Sequence, residues 1–151
     1  MEILGERFIS KERRCVKKMI DPQLTKNFHL KEWSCKTTPK KTGVPWDLVP
    51  NVKECAENLQ VLRDHIGKAI TLISGWRSPL YNKKIGGATK SKHMTGQAAD
   101  IRVRGTKPDE IAEIIETLIE EGKMKQGGLG VYPKSNFVHY DCRGTRARWR
   151  G

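Results

Sequence analysis

Ser91-Lys92-His93-Met94-Thr95-Gly96-Gln97-Ala98-Ala99-Asp100-Ile101-Arg102-Val103 is the stretch on which the reading of the chain turns. Its first half is polar and closes on a glycine. Its second half, Ala98 to Val103, reads as a short strand. Gly96 permits a sharp turn between them, so the His93 imidazole and the Asp100 carboxylate can approach one point from two elements.

Downstream, Pro108 to Gly122 reads as an amphipathic helix. Ile111, Ile114, Ile115, Leu118 and Ile119 form its apolar stripe, with glutamates on the other side. Gly127 to Tyr132 and Phe137 to Cys142 read as two strands joined by Pro133-Lys134-Ser135-Asn136, a hairpin signal. Upstream, Trp76 to Lys92 reads as a long polar loop with Pro79 and Gly86-Gly87. Ala69 to Ser74 is a β-branched run that fits a buried strand. Val52, Cys55, Ala56, Leu59, Leu62, His65 and Ile66 follow helical spacing from Pro50-Asn51 to Gly67, which puts His65 on the apolar stripe as a structural residue.

Lys36 to Pro50 reads as a loop, with Trp46 expected to pin it to the core. Phe28, Leu30 and Trp33 are expected packing anchors, and His29 a surface residue. There is no internal repeat. The order helix, strand, loop, strand, helix, hairpin predicts an α+β domain with a small, mainly antiparallel sheet flanked by helices. The domain is expected over residues 26–144, between a basic arm or short helix (1–25) and a basic tail (145–151).

A chain of 151 residues suits one domain with its own core. No apolar run approaches the roughly 18 residues of a membrane span. The first twenty residues alternate charge with isolated apolar positions and lack the apolar region of a secretory signal. The expectation is synthesis in the cytoplasm, with any other compartment reached by another route.

Net charge is +12, concentrated in Lys11–Lys18, Lys83–Lys92 and Arg143–Arg150. Such a surface attracts polyanions: nucleic acid, anionic lipid or anionic cell-wall polymers. It is equally the surface of a well-solvated protein. In the tail, arginines flank Trp149, a pattern able to stack on bases. Cys15, Cys35, Cys55 and Cys142 are scattered without a C-x-x-C pair, so neither a zinc finger nor a disulfide is expected. Cys142 should face the core, opposite Asp141.

His139 and Asp141 lie two apart on the second hairpin strand and so share a face. If that strand pairs beside Asp100, two imidazoles and two carboxylates converge. That set suits a catalytic zinc site with three protein ligands, an open position for water and a base beside it. One of His139 and Asp141 can bind metal while the other takes the water proton.

The pattern S-x-H-x-x-G-x-A-x-D at Ser91–Asp100, followed by F-V-H-x-D at Phe137–Asp141, resembles the M15 family of zinc peptidases. That family includes D-Ala-D-Ala carboxypeptidases and phage endolysins. The resemblance extends over roughly Asn27 to Gly144. It takes in Ser74-Gly75-Trp76-Arg77-Ser78-Pro79 with Asn82, Gly86-Gly87, Gly128-Leu129-Gly130-Val131-Tyr132-Pro133 and Cys142-Arg143-Gly144. It implies the fold shared by hedgehog and DD-peptidase domains, and one Zn2+ per chain held by His93, Asp100 and His139. It also implies a loop arginine, Arg77, that holds a substrate carboxylate or the oxyanion.

Better-studied members carry an acidic base three residues before the last histidine. Here that residue is Asn136, so Asp141 becomes the expected base, or else the residue that orients His139. Ser91 and Gln97 are candidate substrate contacts, and Trp76 and Tyr132 candidate cleft residues. The implied substrate is the peptide part of peptidoglycan, met by an expected monomer acting in the manner of an endolysin released onto the wall. Two other readings stay open. One is a basic nucleic-acid-binding protein or nuclease, although no helix-turn-helix or finger motif supports specific nucleic acid binding. The other is a wall-binding protein on the same fold without catalysis.

Overall fold

The computed structural model describes residues 21–151. The expected basic arm over residues 1–25 therefore lies mostly outside the described residues. Three α-helices and five strands form an α+β domain: α1 (Val49–Ile66), β1 (Ile70–Ser74), α2 (Pro79–Lys84), β2 (Ala98–Val103), α3 (Pro108–Glu120), β3 (Gly128–Tyr132), β4 (Phe137–Asp141) and β5 (Ala147–Arg150). Strand order is β1-β2-β4-β3-β5. Every neighbouring pair is antiparallel except β3–β5, which is parallel.

Period-two alternation gives the sheet two different faces. Ala99, Ile101 and Val103 of β2, Val138 and Tyr140 of β4, and Leu129 of β3 enter the apolar core. There they meet Val52, Leu59 and Leu62 of α1, and Ile111, Ile115 and Leu118 of α3. Phe28, Leu30 and Trp33 join the same core, as expected from the sequence, with Phe28 and Trp33 edge to face. The intervening positions, Asp100, His139, Asp141, Gly128 and Gly130, belong to the opposite face. Cys142 is buried on the core side, as its parity with Asp141 required.

Five details differ from expectation, each for a physical reason. The stretch set apart as a tail contains β5, hydrogen-bonded along β3. Its arginines bond to α3: Arg150 to Asp109 (2.7 Å), Arg146 to Glu116 (3.2 Å), and Arg148 to Glu116. Each such pair is weak when exposed, but together they complement the acidic side of α3. Trp46 is 56% exposed and pins nothing; it opens a 3-10 turn, Trp46–Leu48, that leads into α1. His65 is exposed in the last turn of α1, where a basic side chain suits the helix C-terminus. The polar loop after β1 contains α2, capped by the Ser78 side chain. It ends in a further 3-10 turn, Lys92–Thr95, which carries His93.

Candidate metal centre and active-site cleft

The two histidines enter the site with their tautomers set by backbone and carboxylate partners. The 3-10 turn that presents His93 is capped by Ser91 Oγ, which accepts from the His93 amide. It stops at Gly96, whose φ of 78° favours glycine. A Cβ at Gly96 would also press on Val52. The chain then enters β2 two residues before Asp100. His93 Nδ1–H donates to the Gly75 carbonyl (2.6 Å), which leaves the Nε2 lone pair facing Asp100. On β4, directly opposite Asp100 in register, His139 Nε2–H donates to Asp141 Oδ2 (2.7 Å), which leaves the Nδ1 lone pair facing the same point.

Three acceptors therefore meet. His93 Nε2 and His139 Nδ1 are each 3.1 Å from Asp100 Oδ1 and 3.2 Å from each other. With both outer nitrogens protonated, the inner nitrogens of the two neutral rings cannot bond to each other, and a bound cation would satisfy the trio. Ligands about 2.0–2.1 Å from a tetrahedral ion lie about 3.3 Å apart, so the residues fit a metal such as zinc. All three are buried. This is the ligand set the resemblance implied.

The charges follow from these contacts. Burial pushes the His93 imidazole down, more than the neighbouring Asp100 raises it, so this ligand is held neutral. Burial also acts downward on His139, but the two adjacent carboxylates, Asp100 and Asp141, outweigh it and raise that imidazole. Burial disfavours the Asp100 carboxylate, yet its close contacts with the His139 and His93 imidazoles outweigh this and hold it far below the ordinary range. Asp141 is likewise held ionised against its burial by His139, Arg143 and the Gly128 amide.

Asp141 stands on the expected face but behind His139 rather than over the cluster. Its side chain is fully buried. Oδ1 accepts from the Gly128 amide (2.9 Å) and Arg143 Nε (2.8 Å), and Oδ2 from Arg143 Nη2 (2.7 Å) as well as His139. No lone pair is left for a water in the cleft. Of the two roles open to it from the sequence, this geometry fits orientation of His139.

Arg77 reaches the cluster from the loop after β1. Its Nη2 donates to Asp100 Oδ2 (3.2 Å), Nε to Ser74 Oγ (3.2 Å) and Nη1 to Asn82 Oδ1 (3.4 Å). The guanidinium thus fixes its own loop and orients the ligand Asp100, and still lines the cleft. Asn82, buried, holds this loop through Nδ2 to the Ala88 carbonyl (2.9 Å). Gln97 turns away: its Oε1 accepts from Thr95 Oγ1 (2.8 Å), and it does not line the cleft. Trp76 is buried, with its indole N–H on the Met94 carbonyl. Asn136 occupies the β3–β4 turn with φ 53°, a conformation asparagine tolerates. It lines a separate groove with Thr71 and Arg102.

Above the cluster lies an open cleft of about 590 Å³. It is lined by the cationic side chains Arg77, Lys90, Lys92 and Arg143, by the aromatic rings of Tyr132, Phe137 and Trp149, and by Ser91. Asp100 is the only carboxylate that lines it among the described residues. Lys90, Phe137, Arg143 and Trp149 were not singled out as site residues from the sequence. Arg143 keeps the parity of His139 and Asp141 just past the end of β4, whereas Trp149 lies on β5, beyond the turn at Gly144, and no local pattern pointed to it.

A buried His–Asp–His trio under an open, cation-lined cleft is the architecture of a mononuclear metal-dependent hydrolase. The comparisons with known proteins agree. The profile of the Peptidase M15 family matches residues 26–141, and the chain belongs to that family. It is 30% identical over 117 residues to the probable peptidoglycan L,D-endopeptidase MepK of Haemophilus influenzae, covering 74% of this chain and 59% of that protein. It is 38% identical over 87 residues to the peptidoglycan L,D-endopeptidase MepK of Escherichia coli K12, covering 54% of this chain and 44% of that protein. The chain thus spans about half the length of the curated relatives it matches.

Proposed function

We propose that the chain is a zinc-dependent peptidase that hydrolyses a peptide bond in peptidoglycan, in the manner of the L,D-endopeptidases it resembles. The observation that carries this reading is the convergence of three buried acceptors at 3.1–3.2 Å beneath an open cleft. A zinc ion held there supplies a Lewis acid for the scissile carbonyl and lowers the pKa of a bound water toward about 7.

The protein's own groups prepare that chemistry. Asp141 accepts the His139 proton on Nε2, so the neutral ring presents Nδ1 as an electron-pair donor. The Gly75 carbonyl does the same for His93. Arg77 keeps Asp100 Oδ1 turned inward by occupying Oδ2, and its charge favours an oxyanion forming in the cleft. Lys90, Lys92 and Arg143 favour substrates that carry carboxylates, and Ser91 offers a hydroxyl. Arg146 and Arg150 of the tail are paired with α3, and Arg143 with Asp141, which favours a wall enzyme over a nucleic-acid binder. The remaining basic surface suits anionic wall polymers. The relatives above come from bacteria, so their names do not extend to a phage-type release.

One observation favours a second reading. A cleft whose only carboxylate, among the described residues, is a proposed metal ligand suits a protein that holds wall peptide without cutting it. Digestion of isolated peptidoglycan, followed by mass spectrometry of the muropeptides, separates the two. The expected result is a set of peptide-cleaved products that disappears with a chelator and returns with added zinc, and whose masses identify the bond. Retention of soluble muropeptides by the zinc-loaded chain with an unchanged product profile would instead establish the binder.

A further inference from the structure

The register of the sheet places five residues in one row across it: Ser74 opposite Asp100, Asp100 opposite His139, His139 opposite Gly130, and Gly130 opposite Trp149. Directly opposed residues share a face, so Trp149 stands on the face of the metal cluster. Gly130 is the gap in this row. A Cβ there would collide with the Trp149 indole, and with only hydrogen in its place the ring leans across β3 toward β4. Its centroid lies 4.9 Å from that of His139, tilted by 49°.

The indole is held in that pose from two further sides. Its Nε1–H donates to the Tyr132 hydroxyl (2.7 Å), and the Arg143 guanidinium sits over the ring at 5.6 Å. Tyr132 is itself stacked on Phe137, with centroids 4.3 Å apart and planes within 12°. Three rings therefore form one continuous wall of the cleft. Ile85, Gly86, Gly87 and Ala88 line the same cleft. An indole fixed beside a metal ligand, only partly buried and open to the cleft, has more order than packing alone requires. β5 could be held to β3 by its ladder and to α3 by its ion pairs without it.

We propose that Trp149 is a substrate-binding residue, delivered to the site by the C-terminal strand. Its ring packs against an aliphatic segment of the peptide residue next to the scissile bond, while the cationic side chains of the cleft receive that residue's carboxylate. This rests on the peptidase reading above and deepens it. Burial of hydrocarbon against a pre-ordered ring strengthens binding with little loss of side-chain freedom, because Tyr132 and Arg143 already hold the indole.

The test is a comparison of the wild-type chain with Trp149→Ala and Trp149→Phe, each zinc-loaded. Turnover of soluble muropeptides, zinc content and thermal midpoint are measured together. For Trp149→Ala we expect full zinc content and a KM raised about tenfold or more, with kcat within about threefold. Trp149→Phe, which keeps a ring but not the bond to Tyr132, should recover most of the lost affinity. An unchanged KM in Trp149→Ala would overturn the proposal. So would loss of zinc in that variant with normal affinity in the zinc-saturated protein, because Trp149 would then only support His139. If Trp149→Ala does not fold, the Phe variant and Tyr132→Phe decide: a KM equal to that of Trp149→Leu would deny the ring any role. Should the wild-type chain cleave no muropeptide, the peptidase reading fails by itself. Calorimetric binding of the same muropeptides then still tests the wall, and equal affinity of wild type and Trp149→Ala would overturn it.

Discussion

His93→Ala and His139→Ala should each lose zinc and hydrolysis together. Among the described residues each removes one of three side-chain donors, and the neighbouring polar groups cannot substitute. Ser74 and Asn82 are occupied by Arg77, and Asp141 is spent on Arg143, Gly128 and His139. Loss of the metal removes both the activated water and the polarised carbonyl, so kcat/KM should fall on the order of 10³-fold or more, which is about 4 kcal/mol of transition-state stabilisation. The folded domain should survive, because the cluster lies on the sheet face opposite the apolar core. Metal analysis of the purified variants, circular dichroism and muropeptide release check all three parts. Full activity in a variant free of metal would refute the role given to these residues.

Asp141→Asn should weaken zinc binding by about 10–100-fold, and much of its lost turnover should return when zinc is raised to saturation. The substitution keeps shape but removes the charge that holds the His139 proton on Nε2. It also turns an amide toward the Arg143 guanidinium, which donates to both carboxylate oxygens. A general base in the cleft behaves in the opposite way: zinc stays bound and turnover does not recover. Because Asp141 is fully buried and accepts from His139, Arg143 and the Gly128 amide, the same variant should lose about 2–3 kcal/mol of stability. The lower end is expected because Arg143 is 27% exposed and remains partly hydrated. Zinc affinity by competition with a chromogenic chelator, turnover against zinc concentration, and chemical denaturation provide the three readouts.

The elements that carry the site were legible because each had a strong local signal. The alternation in Ala98–Val103, the left-handed turn at Gly96 and the stripe of α3 all follow from short-range physics, and they place Asp100 beside His139. Parity alone put Asp141 on the right face. It could not give depth, and in the folded chain His139 stands between Asp141 and the point where the donors converge. β5 was hidden because Arg146, Arg148 and Arg150 alternate with Ala147 and Trp149 in a segment too basic and short to suggest a strand. Its stability comes from α3 and β3, elements remote in sequence. Trp46 and His65 show the same limit from the other side. An aromatic in a loop and a histidine on a helical stripe look like core by composition, yet each sits where the packing has already ended. Gln97 was drawn into the site by its neighbours in the motif, but its side chain closes the turn instead.

Zinc-edge anomalous diffraction from crystals of the zinc-loaded chain tests the central claim most directly. The account predicts one strong peak about 2.0–2.1 Å from His93 Nε2, His139 Nδ1 and a carboxylate oxygen of Asp100, with the side toward Trp149 and Arg77 left open. A peak bonded to Asp141, or one elsewhere on the molecule with the trio joined only by a shared proton, would contradict it.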